Sequence, residues 1–169
     1  MKKIFSLLLL SILSLSAMAQ VTTTPNPIAK GDLAGTVVIT FDPNGGNGGM
    51  KTATKCYCHT GLLTSESTND GDWKNTIGSW RGTTQPQLTK TADGKWQLTI
   101  NNVYSFYGVP ATTEILKIAF VFHDGPGGSK EGKTAAGGDI FVTISGVDQQ
   151  IGIWRGFTPT ACSQQARPA

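Results

Sequence analysis

The sequence predicts an all-β protein, a sandwich of short antiparallel strands, and three observations lead there. Four short segments alternate apolar and polar residues with a period of two: 36–41 (TVVITF), 95–100 (KWQLTI), 115–123 (ILKIAFVFH) and 139–144 (DIFVTI). Turn chemistry separates them, with 21 glycines and comparably abundant threonine. No segment carries a sustained helical period, so crossover helices are absent from the expected architecture. A chain of 169 residues accommodates one domain, and no internal repeat divides it.

Residues 1–19 read as a cleavable signal peptide. Lys2 and Lys3 form a basic start, Leu7 to Leu15 an apolar stretch, and Ala17-Met18-Ala19 a small-residue cleavage site. Export after cleavage behind Ala19 is expected, to the periplasm, the cell surface or the medium. Residues 20–35 form a Thr/Pro lead-in and 36–145 the sandwich. The first strand puts Val37, Ile39 and Phe41 on one face and ends at the glycine-rich loop 42–49. A second strand is expected around 55–60. If Cys56 and Cys58 face the core there, Tyr57 and His59 project together from the opposite face. Residues 62–84 form a long polar connection carrying Trp73 and Trp80, and 103–109 a short irregular turn. In 95–100, Trp96 alternates with Leu98 and Ile100, which gives it a structural role. Residues 146–169 break the pattern. They hold either an edge strand at 151–154 or a linker.

Charge and length exclude several function classes. Without Lys2 and Lys3 the chain has 12 basic against 11 acidic residues, a net charge of +1, which gives no electrostatic footprint for nucleic acid. No apolar run after the leader approaches the roughly 20 residues that span a bilayer, so membrane insertion is not expected. Three cysteines cannot all pair within one molecule. Cys56 and Cys58 lie too far apart on a strand for a relaxed bridge to each other and read as buried thiols, with a bridge from either to Cys162 left open.

Several motifs are tempting and fail on context. Residues 127–134 (GGSKEGKT) satisfy the phosphate-loop pattern, but Ala135-Ala136 lead at once into Gly137-Gly138, and no helix can begin there to bind a nucleotide. Cys56, Cys58 and His59 are too tightly spaced for a structural zinc site. Asp70 and Asp72 could pair as glycosidase acid and base, although a solvated loop explains them better. A calcium site at Asp42, Asn44 and Asn47 would lack ordered acidic ligands. No cofactor and no metal are expected.

The aromatic set remains. Tyr57 and His59 share a strand face, and Trp73 and Trp80 follow in a segment with little else apolar to bury them. A pyranose ring lays its C–H face on an indole or phenol while its hydroxyls seek polar partners, for which Lys74, Asn75 and Gln85 stand nearby in sequence. The alternative is that the tryptophans fold inward as a satellite cluster beneath the loop.

The series Tyr57-x-His59-Thr60-Gly61-Leu62-Leu63-Thr64, Asp72-Trp73-Lys74, Trp80, Trp96-Gln97-Leu98, Tyr107-Gly108-Val109-Pro110, Ile118-Ala119-Phe120-Val121-Phe122 and Gly138-Asp139-Ile140-Phe141-Val142 resembles a known module. It is similar to the N-terminal starch-binding module of secreted bacterial alpha-amylases, carbohydrate-binding family twenty-six. The resemblance covers about 36–144. It implies an immunoglobulin-like β-sandwich without catalytic residues that binds α-1,4-glucan through aromatic side chains. Carried over by position, Tyr57, His59 and Trp73 fall on sugar-contacting positions, with His59 where such modules can carry a tyrosine; Trp80 from the same series and Lys74 as a polar partner complete the candidate set. The barrel catalytic domain that usually accompanies such a module is not in these 169 residues, so a free-standing module or a truncated reading frame is expected.

The expected function is therefore a secreted, monomeric, non-catalytic binder of starch or a related α-glucan, an accessory module of alpha-amylase type. The alternative is a module for another glycan or for a protein partner at the cell surface, using the same patch. A small hydrolase using Asp70 or Asp72 has the least support.

Overall fold

A computed structural model describes residues 20–149. The expected leader, the 151–154 strand and Cys162 lie outside the described residues. The chain forms two antiparallel four-stranded sheets packed face to face with almost no helix, the all-β sandwich that the alternating segments predict. The first sheet has the order β1 (Val21–Thr24), β2 (Val37–Phe41), β5 (Trp96–Ile100), β4 (Thr89–Lys90). In the second, β3 (Tyr57–Thr64) pairs with β6 (Ile115–His123), whose other side takes both β7 (Glu131–Gly132) and β8 (Ile140–Thr143).

Strand alternation builds the core directly. Val37, Ile39 and Phe41 lie opposite Ile100, Leu98 and Trp96, and all six are buried, Trp96 in the structural role expected of it. The second sheet contributes Cys58, Leu62, Ile118, Phe120 and Phe122. Phe41 stacks on Phe122 across the sandwich, ring centroids 4.0 Å apart and planes 13° apart. Gly132 sits at this junction. A Cβ there would come within 2.6 Å of the Phe41 ring, so only glycine lets β7 close over it.

Four sequence expectations need correction. The 20–35 lead-in is part of the sandwich: β1 pairs with β2 along its length, Ile28 and Leu33 are buried, and a single 3-10 turn spans Lys30–Ala34. The strand expected around 55–60 begins at Tyr57 and runs on to Thr64, which takes three residues from the polar connection. Residues 103–109 contain a helix, α1 (Val103–Tyr107). Asn102 caps its start by accepting from the Ser105 N–H at 2.9 Å, and left-handed Gly108 ends it. In β6 the alternation shifts phase: Thr64 lies opposite Ile115 and Leu63 opposite Lys117, so Leu116 is the extra residue of a bulge and Ile115 takes its place in the core.

The rejected motifs sit as the local chemistry dictates. Residues 127–134 form a loop and the short β7, with no helix following; Thr134 instead hydrogen-bonds Gly138 in a tight turn. The Asn47 carboxamide is fully engaged with Gly49, Lys133 and Glu131 backbone groups. Cys56 and Cys58 are buried and not bridged to each other, and burial pushes both thiols well above their ordinary range. Among the described residues, no group of His, Cys, Asp or Glu could hold a metal ion and no helix is long and apolar enough to cross a membrane.

Candidate functional site

The outer face of the second sheet carries the site. Core-facing Cys58, Thr60 and Leu62 leave Tyr57, His59 and Gly61 on the opposite side of β3, where the register sets them against His123, Val121 and Ala119 of β6. The long connection then folds back along the free edge of β3, opposite β6. Lys74 and Leu62 exchange backbone hydrogen bonds at 2.7 and 2.8 Å, and the Ile77 N–H donates to the Thr60 carbonyl at 2.9 Å. This close approach needs Gly61, where a Cβ would come within 2.9 Å of the Thr76 methyl group.

The fold-back places Trp73 over His59, ring centroids 5.6 Å apart and planes 23° apart. Its indole N–H donates to the Asp70 carbonyl at 3.0 Å, and its edge meets Phe141 of β8. Trp80 comes from further along the same connection and meets His59 nearly perpendicularly, at 5.3 Å and 85°. It is the one large apolar side chain among the described residues that stands exposed, at 44%. Arg81 holds it. The guanidinium lies 5.3 Å from the Trp80 ring centroid and donates to Asp124, Glu131 and the carbonyls of Gly128 and Lys130, tying the Trp80 loop to the β6–β7 connection.

Between the two indoles lies an open depression of about 440 Å³ with His59 and Val121 in it and Thr76, Lys133 and Asp139 around it. Of the expected site residues, His59, Trp73 and Trp80 meet here. Tyr57 is on the same strand face but lies beyond the depression, stacked on His123 at 5.9 Å and 18° and packed against Gly125. Lys74 turns away, pairs with Asp72 at 2.8 Å and lines a separate polar hollow of about 580 Å³ together with Asn75. Gln85, expected at the rim, is buried. The tryptophans partly cluster with the histidines, as the inward alternative has it, yet both still line the depression.

Lys133 and Asp139 escape a sequence reading because the Gly-rich 125–138 loop brings them back over β3 from more than 70 residues away. The available signal was the position of Asp139 at the start of an alternating strand. Asp70 and Asp72 are engaged separately, with Lys117 and with Lys74, each at 2.8 Å. The Lys74 ammonium and the Thr68 backbone N–H hold the Asp72 carboxyl below its ordinary range.

Behind the depression, Gln85 bridges the two histidines of the chain. Its amide nitrogen contacts His59 Nδ1 and its amide oxygen His123 Nε2, while the Gly125 N–H donates to His123 Nδ1 at 3.1 Å. Burial lowers the His59 pKa, opposed by the charge of Asp139. Burial first, and then the nearby Arg81 charge, lower His123 to about 4. A histidine depressed in the folded state stabilises the fold fully above its unfolded pKa, near 6.5, and that contribution is lost as pH falls toward 4. Melting temperature should therefore drop between pH 6.5 and 4, and less steeply in His123→Gln. Parallel curves for the two proteins would contradict a neutral, buried His123.

Compared with known proteins, the chain matches no protein-family model and no curated protein.

Proposed function

We propose that the protein is an exported carbohydrate-binding module for starch or a related α-1,4-glucan, non-catalytic and of the kind appended to alpha-amylases. One observation carries the reading: Trp73 and Trp80 wall a single open depression at a steep angle, one nearly parallel to the His59 ring and the other nearly perpendicular to it. A flat, ribbon-like glycan such as cellulose stacks on coplanar rings. Successive residues of an α-1,4-glucan turn about a helix axis and present their C–H faces at an angle, which suits walls of this kind. Thr76, Lys133 and Asp139 stand where the sugar hydroxyls need partners. Tyr57 extends the same face and would meet a neighbouring glucose unit.

Each stacked ring removes roughly 100 Å² of apolar surface from water, worth about 2.5 kcal/mol before ordering costs, so the expected affinity lies between about micromolar and millimolar. The sequence resemblance to starch-binding modules and the leader read in residues 1–19 support the same reading. Affinity electrophoresis through gels containing amylopectin, pullulan, dextran or a cellulose derivative tests it. Retardation by amylopectin and pullulan but not by the cellulose derivative is expected. Free migration in every gel would refute glycan binding and turn the search to a protein partner.

A further inference from the structure

The hydrogen-bond chain behind the depression has one consistent direction, and a backbone group sets it. The Gly125 N–H can only donate, so His123 Nδ1 accepts and carries no proton. Neutral His123 then holds its proton on Nε2 and donates to the Gln85 amide oxygen. That orients the carboxamide, whose nitrogen must donate to His59 Nδ1. His59 in turn keeps its proton on Nε2. Among the described residues this atom has no hydrogen-bond partner and none of their side-chain nitrogens or oxygens is both buried and unpaired, so the atom is not sealed from solvent by them. The 0% exposure of His123 and the burial of Gln85 shield the chain from competing water.

We propose that Gln85 and His123 are positioning residues that lock His59 in its Nε2–H tautomer, so that the depression offers a fixed hydrogen-bond donor to an acceptor oxygen of the ligand. The inference rests on the glucan reading for the identity of that oxygen, a ring, glycosidic or hydroxyl oxygen of a glucose unit stacked on Trp73. The relay itself belongs to the free protein. Its selectivity is chemical: a ligand placing an acceptor against His59 is favoured, and one placing only a donor there meets an N–H and is rejected. The arrangement also explains an imidazole at a position where a tyrosine would stack over more area, because a phenol hydroxyl rotates and fixes no donor direction.

Nitrogen-detected NMR of the imidazoles in the protein from Gln20 onward at pH 7.5 tests the relay without any ligand. Both histidines should show a protonated Nε2 and an unprotonated Nδ1. In Gln85→Glu the new carboxylate accepts from both rings, so His59 Nδ1 should become protonated while the amide spectrum stays that of a folded sandwich. A protonated His59 Nδ1 in the unaltered protein, or no change in a folded Gln85→Glu, would overturn the relay. Titration with maltoheptaose should then shift the His59 Nε2–H resonance and slow its exchange with water by about tenfold or more. Binding that leaves this resonance unmoved would overturn the donor role. Absence of binding would instead count against the glucan reading, leaving the tautomer result to decide the relay by itself.

Discussion

Trp73→Ala should weaken α-glucan binding by about fiftyfold or more while the protein remains folded. The indole stands over His59 on the connection that folds back along β3, outside the core shared by the two sheets. Removing it deletes one wall of the depression and about 2.5 kcal/mol of stacking, a loss of about fiftyfold or more in affinity. A starting Kd of about a micromolar would move to several tens of micromolar, and one near the upper end of the expected range would move beyond detection in the gel. The fold loses the indole hydrogen bond to Asp70 and an edge contact with Phe141, neither of which joins the sheets. Retardation in amylopectin gels and a thermal melt on the same preparation separate the two effects. A variant that melts far below the parent would move Trp73 into the structural core, and one that binds as tightly as the parent would remove it from the site.

Phe122→Ala should have the largest effect on stability. The ring is fully buried, stacked on Phe41 from the facing sheet and 5.6 Å from Phe120 in its own strand, with β7 closing over it at Gly132. Truncation opens a cavity between two sheets whose backbones are held by their own ladders and cannot collapse into it, so the expected cost is about 3–5 kcal/mol. Against a total of about 5–15 kcal/mol for a domain of this kind, the variant is marginal. Urea unfolding followed by tryptophan fluorescence measures it. A midpoint within error of the parent would mean that the sheets do not pack through this pair.

What could be read from sequence follows from how local each signal is. Strands β2 and β5 were legible because one face of each is buried and the other is not, and alternation records that within five residues. Strand β6 is buried along nearly its whole length and was legible as an unbroken apolar run in which Ile118, Phe120 and Phe122 alternate with smaller residues. Strand β1 was not, since VTTT has little to bury and owes its conformation to the ladder with β2. Helix α1 has five residues, too few to establish a period, although Asn102 and Gly108 bracket it with the capping chemistry that marks a helix. At the site, alternation alone placed Tyr57 and His59 on the solvent side. Two tryptophans in a polar loop were conspicuous for want of apolar company. Gln85 was misjudged as a rim residue because its partners lie 26 and 38 positions away, and sequence gives a glutamine no direction. Lys74 lies outside the depression because adjacency to Trp73 in a strand-like segment sends its side chain to the other side.

The decisive measurement is an NMR titration of the isotope-labelled protein from Gln20 onward with maltoheptaose, following the tryptophan indole N–H resonances together with the backbone amides. Saturable shifts centred on Trp73, Trp80, His59 and Asp139, with the buried Trp96 indole unmoved, are the predicted result. Shifts confined to the polar hollow around Lys74 and Asn75, or no shifts at millimolar maltoheptaose, would contradict an α-glucan site between the two indoles.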